Sequence, residues 1–129
     1  MTSRALADTS IFIANETGRP LDPGALPDEL GISIITIGEL RAGVLAASDL
    51  ATRDRRLHTL TAALALDPIP IDTIVAERWA QLRVILRDRS LRMGVNDSWI
   101  AATAMALDIP VLTQDDGFPA LDELQVRRA

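Results

Sequence analysis

The order of apolar runs along these 129 residues predicts an α/β fold with a mainly parallel central sheet flanked by helices. Three observations carry that expectation. Short β-rich runs (RALAD at 4–8, LGISIIT at 30–36, IPVLTQ at 109–114) alternate with segments whose apolar residues recur at helical spacing. The length suits one domain, taken here as 1–129. Acidic residues also fall where those runs end, and sites in open parallel sheets collect beyond the carboxyl ends of strands.

Each element follows from local chemistry. RALAD is a short strand running into TSIFIANE, a helix opened by Asp8 or Thr9. TGRPLDPGALPDE is rich in Pro and Gly and reads as a loop with at most one short helix. LGISIIT is β-rich, and TIGELRAGVLAAS turns helical after it. Ser48 or Asp49 caps the next helix, in which Leu50, Leu57, Leu60 and Leu64 form one stripe. DPIPID is extended, because each Pro disfavours helix before it. Val75, Trp79, Leu82 and Leu86 share a face of another helix. NDSWIAATAMAL is the last helix, with Asn96 or Asp97 as its cap. IPVLTQ is a strand, DDGF a turn, and ELQVRRA holds one final short strand.

Composition narrows the chemistry. There is no Cys, which excludes disulfides and thiolate metal sites. The net charge is −5, and all 13 basic residues are Arg. That balance argues against a nucleic-acid coating protein, which is basic as a rule. The lack of Lys removes any mechanism built on a catalytic amine. The first twelve residues carry no long apolar run and no stretch approaches a membrane span, so a cytoplasmic protein with no membrane partner is expected.

Four acids are the candidates for function. Asp8 follows the first strand, Glu39 lies one turn into the helix after the second, Asp97 opens the helix that feeds the third, and Asp115 follows that third strand. Singly, each has a plain explanation. Asp8 and Asp97 suit helix starts, and Asp115 suits a turn. Glu39 is followed by the small residues Ala42, Gly43 and Ala46, a stripe expected to bring its helix close to the sheet. Together they are harder to dismiss. Two unit charges about 4 Å apart repel by roughly 4 kcal/mol at an effective dielectric of about 20. A chain that gathers four carboxylates neutralises them with cations, and oxygen ligands select Mg²⁺ or Mn²⁺. Carboxylate-held Mg²⁺ is the usual equipment for phosphodiester hydrolysis.

Other residues carry weaker signals. His58 stands alone and reads as a surface or boundary residue. Trp79 and Trp99 read as core or interface anchors. Arg83, Arg87, Arg89 and Arg92 cluster in sequence, as do Arg53, Arg55 and Arg56, and either group can track a phosphate backbone. Arg41 is expected to pair with the acids.

LADTSIFIA, SIITIGELRAGV and NDSWIAATAMALDIPVLTQDDGF resemble, in order and spacing, the motifs of PIN-domain nucleases, above all the VapC toxins of bacterial toxin–antitoxin systems. The resemblance runs from Leu6 to about Phe118. It implies a PIN-like three-layer α/β/α domain. The family's four acids map to Asp8, Glu39, Asp97 and Asp115, and Thr113 matches the small hydroxyl residue that precedes the fourth. Many relatives carry Asp or His where this chain has Gly117, and Asp116 is the neighbour placed to compensate. The first strand is also poorer in β-branched residues than is usual in the family. The resemblance implies a Mg²⁺-dependent endoribonuclease that cuts tRNA, rRNA or mRNA. It also implies a homodimer, possible larger toxin–antitoxin assemblies, and a VapB-like antitoxin that blocks the site and binds DNA.

Competing readings fail on single residues. A phosphotransfer receiver needs a late Lys, and there is none. A haloacid-dehalogenase-like phosphatase needs an Asp where Ser10 stands. The alternative that survives is a PIN-fold interaction module that has lost cleavage.

Overall fold

The computed structural model describes residues 2–129. Four strands, β1 (Arg4–Ala7), β2 (Glu29–Ile32), β3 (Val111–Thr113) and β4 (Val126–Arg128), form one sheet in the order β2-β1-β3-β4, and every pairing is parallel. Five helices flank it: α1 (Thr9–Thr17), α2 (Ile34–Ala46), α3 (Leu50–Leu64), α4 (Thr73–Asp88) and α5 (Val95–Leu107). A single 3-10 turn, Pro23–Ala25, lies in the Pro/Gly loop. This is the PIN-like α/β/α arrangement expected.

Residues alternate across the sheet with period two. Leu6 and Val111 face one layer, where they meet Leu82 and Leu86 of α4 and Ile100, Ala101 and Ala104 of α5. Ala5, Ala7 and Leu112 face the other, against Ile11 of α1. A third cluster, Ile32, Leu40, Val44, Leu60 and Ala63, joins β2 to α2 and α3. Because β1 is central and covered on both faces, Ala5, Leu6 and Ala7 are all fully buried. Its alanines are weak strand formers, so tertiary burial holds them extended rather than intrinsic preference.

Two expectations need correction. β2 stops at Ile32, and Ser33 caps α2 by accepting from the Ile35 N–H at 3.0 Å. The β-branched Ile34 and Ile35 are therefore helical, since the cap outweighs their strand preference. The small residues after Glu39 do not face the sheet: Ala42 and Ala46 are exposed, and Thr36, Leu40 and Val44 make the inward face of α2. The α3 stripe is buried only at Leu60. Leu50 is 76%, Leu57 41% and Leu64 45% exposed, because in the core α3 meets α2 through Leu60 and Ala63 alone.

The remaining elements agree with the chain's chemistry. Ile69 in the extended DPIPID segment bridges Ser33 in parallel, lengthening the edge beyond β2. Val75, Leu82 and Leu86 of α4 are buried, and Trp79 lies flat on Trp99 of α5, ring centroids 4.4 Å apart and planes 6° from parallel. The two tryptophans are thus half-buried anchors between helices. His58 is exposed. No described helix is long and apolar enough to cross a membrane.

Candidate functional site

The registers Ala7↔Ile32 and Ala7↔Leu112 align the carboxyl ends of the three strands. The next residues, Asp8, Ser33 and Thr113, therefore lie side by side at the carboxyl end of the sheet, Thr113 as the last residue of β3. A cleft of about 260 Å³ opens there, lined by Asp8, Thr9, Ser10, Ile13, Arg19, Glu39, Asp97 and Asp115. All four acids singled out in the sequence line it.

Asp8 is both a cap and a cleft residue. It is 2% exposed. Its Oδ1 accepts from the Ser10 N–H at 3.1 Å and the Ser10 hydroxyl at 2.5 Å, and its Oδ2 accepts from the Thr113 hydroxyl at 2.6 Å. Burial pushes its carboxyl above the usual range; the bonds from Ser10 and Thr113 oppose that, and the charge of Asp115 adds to it. Thr113, fully buried behind the cleft, also accepts from the Asp115 N–H at 2.9 Å. One hydroxyl thus ties the first acid to the turn that carries the fourth.

Glu39 reaches the cleft from α2, where the Thr9 hydroxyl donates to its Oε1 at 2.6 Å and lies 3.1 Å from the Thr36 hydroxyl. Asp97 comes from α5. Gly94, not Asn96 or Asp97, is the N-cap of that helix, and it makes no side-chain cap bond. The cap readings of residues 96 and 97 are therefore wrong, because the helix begins one residue before Asn96. Asp97 lies in the first turn, where the helix dipole favours its ionised form. Burial and then the charges of Asp8, Glu39 and Asp115 nonetheless push its carboxyl up to about 6.

Among the described residues, none of the four acids forms an ion pair. Arg41 is exposed and makes none, since two residues along a helix point away from each other. Asp116 does not fill in for Gly117: it is turned outward and paired with Arg128. Gly117 itself presses on the site, because a β-carbon there would lie 3.0 Å from Asp97 Oδ2. Arg19 brings a guanidinium to the cleft wall while donating to Gln114 Oε1 at 3.3 Å. Sequence reading missed Thr9, Ser10, Thr36 and Arg19. The run of hydroxyls directly after Asp8 was the available signal for the first two.

The donor set fits a hard divalent ion. Among the described residues no three carboxylates lie close enough to ligate one ion directly. Mg²⁺ keeps several waters and takes one or two carboxylates, so separated acids around a wet cleft suit it. The unpaired, mutually repelling acids are what such a charge would relieve.

Comparison with known proteins agrees with this arrangement. The family model described as PIN domain matches residues 5–124. The chain is 48% identical over 124 residues to Ribonuclease VapC4 of Mycobacterium tuberculosis, covering 95% of each chain. It is 46% identical over 115 residues to Ribonuclease VapC5 of the same organism, covering 89% of this chain and 85% of that one. A solved member of the VapBC toxin–antitoxin family, VapBC-5 from Mycobacterium tuberculosis, superposes with a TM-score of 0.91 at 39% identity, over 98% of this chain and 99% of that one. A buried Asp at the end of the central strand, three further acids around the same cleft, and this degree of likeness lead to one assignment: the chain belongs to the PIN-domain family, in its VapC group.

Proposed function

We propose that this chain, a single PIN domain over 1–129, is the toxic endoribonuclease of a toxin–antitoxin module. It hydrolyses phosphodiester bonds of tRNA, rRNA or mRNA with Mg²⁺, for which Mn²⁺ substitutes. The observation that carries this reading is the cleft of four carboxylates, none of them in an ion pair among the described residues and one of them raised to about 6. The ribonuclease names of the similar VapC proteins support it.

When bound, the metal ion supplies a Lewis acid and an activated water. The rest is this chain's work. Asp8, Glu39, Asp97 and Asp115 would hold the ion, one or two of them directly and the others through its waters. Ser10 and Thr113 fix the Asp8 carboxylate, and Thr9 fixes one oxygen of Glu39 and leaves the other for the cleft. Arg19 offers its charge to a phosphate entering between the acids.

The antitoxin is VapB-like, as the VapBC relatives suggest, with a basic segment that docks on the acidic cleft and a part that binds DNA. The toxin is a cytoplasmic homodimer that joins a larger assembly with its antitoxin. Exposed Leu50, Leu57 and Leu64 on α3 support the dimer. Light scattering at micromolar concentration checks it, and a lone monomer counts against it.

The test of the reaction is RNA cleavage by the purified protein under metal titration. Cleavage appears with Mg²⁺ or Mn²⁺, stops in excess EDTA and returns on adding metal back. Full activity in EDTA, with contaminating metal excluded, overturns the mechanism. Absence of cleavage with every divalent ion favours the interaction module.

A further inference from the structure

A second cleft, of about 250 Å³, lies where α4 turns into α5, lined by Arg83, Leu86, Arg87, Leu91, Arg92 and Met93. It gathers three guanidinium groups and no acid, in a chain whose net charge is −5. Arg87 has a local explanation: it sits in the last turn of α4, where the helix dipole favours a cation, and pairs with Asp88 at 3.1 Å. Arg83 and Arg92 have none of this. Among the described residues neither forms an ion pair. Arg83 and Arg87, one turn apart, repel each other.

Two chains of neighbouring residues lead from the basic cleft toward Asp97 of the acidic one. Arg83 lies over the Trp79 ring at 5.5 Å, and Trp79 stacks on Trp99 and donates its indole N–H to Ser98, the residue after Asp97, at 3.0 Å. Along the chain, Arg92 and Met93 lead into Gly94, where a β-carbon would lie 3.8 Å from Asp97 Oδ2. Two residues span at most about 7 Å.

We propose that Arg83, Arg87 and Arg92 form a phosphate subsite that takes the backbone of an RNA substrate beyond the bond being cut. The proposal rests on the ribonuclease reading above. The floor of the cleft is Leu86, Leu91 and Met93, which offer no side-chain hydrogen bonds to base edges. The subsite therefore positions the strand without selecting sequence. An acidic polypeptide is the poorer occupant. Laid across both clefts it would set its carboxylates against Asp97 and its neighbours, whereas an RNA phosphate reaches the acids together with a divalent cation.

The test compares wild type with Arg83→Gln/Arg92→Gln, with Arg83→Lys/Arg92→Lys, and with Arg4→Gln, at the end of β1 away from Asp8, as a control. Filter binding of end-labelled single-stranded RNA in EDTA, across a KCl series, is paired with KM and kcat measured in Mg²⁺. The Gln pair is expected to bind about tenfold more weakly, with a salt slope shallower by about 1.4, from two lost contacts to a single strand. KM rises with kcat kept, as for lost uniform binding. The Lys pair keeps the slope, and the control matches wild type. Unchanged RNA affinity and slope in the Gln pair, beside a wild type that cleaves, overturn the subsite and leave the ribonuclease reading standing. Loss of polyglutamate binding with RNA binding intact overturns it in favour of an acidic protein partner. Weaker RNA binding in the Gln pair, beside a wild type that fails to cleave with any divalent ion, keeps the subsite and sinks the nuclease.

Discussion

Gly117 stands so close to Asp97 that a β-carbon on it would lie 3.0 Å from the carboxylate Oδ2. The neighbour that must yield is the tip of a flexible side chain, not backbone. Gly117→Ala is therefore expected to shift stability by less than about 1 kcal/mol, as at other exposed positions. It moves the Asp97 carboxylate by a few tenths of an ångström and lowers kcat roughly tenfold, since misplacements near 1 Å cost about a hundredfold. Cleavage rates beside thermal melts check it; a large loss of stability would mean the backbone, not the carboxylate, gives way.

Asp97→Asn separates catalysis from folding. With Gly94 as the cap of α5, the substitution removes a charge and no cap. The unfolded carboxyl loses its proton near 3.8, while the folded one keeps it to about 6. Between those values the folded state binds more protons, so stability falls as pH rises and the loss is complete above about 6. Asp97 is partly solvated, so the loss is on the order of 1 kcal/mol after screening. The Asn variant is expected to be inactive, to melt a few degrees higher than wild type at pH 7.5 without metal, and to gain less on adding Mg²⁺. At pH 4 to 5 the gap narrows. Melts at both pH values with and without Mg²⁺ decide it, and a variant that cuts RNA normally removes Asp97 from the site.

Thr113→Val tests the tie between Asp8 and Asp115. The change keeps the shape and deletes the hydroxyl that donates to one and accepts from the other. In a fully buried position this costs about 1–3 kcal/mol. Losing that donor raises the Asp8 carboxyl further, so the acid limb of the pH–rate profile moves to higher pH. Urea melts and the profile together check it; an unmoved acid limb means that Thr113 supports the fold alone.

The sequence was informative wherever one local rule acted alone. The parallel sheet, five helices, the 3-10 turn in the Pro/Gly loop and the final strand all follow from period and punctuation. The four acids were found because strand ends in parallel sheets point one way. Errors came where two rules compete or where orientation matters. At Ser33 a cap overrode the β-branched Ile34 and Ile35. Arg41 and Asp116 stand near Glu39 and Asp115 in sequence, but Arg41 lies two residues on along α2 and is exposed, and Asp116 is turned outward to Arg128. The hydroxyls of Thr9 and Thr36 meet only through tertiary packing.

The chain has two tryptophans and no tyrosine, and both tryptophans sit in the one stack between α4 and α5. Nearly all of its near-ultraviolet emission therefore arises from a ring pair whose Trp99 is two residues from Asp97 and whose Trp79 bonds Ser98. Indoles this close and this parallel also couple electronically, giving a dichroic signature of the pair as a unit. Occupancy of either cleft can thus be followed optically in the unlabelled protein, from a reporter seated between α4 and the start of α5.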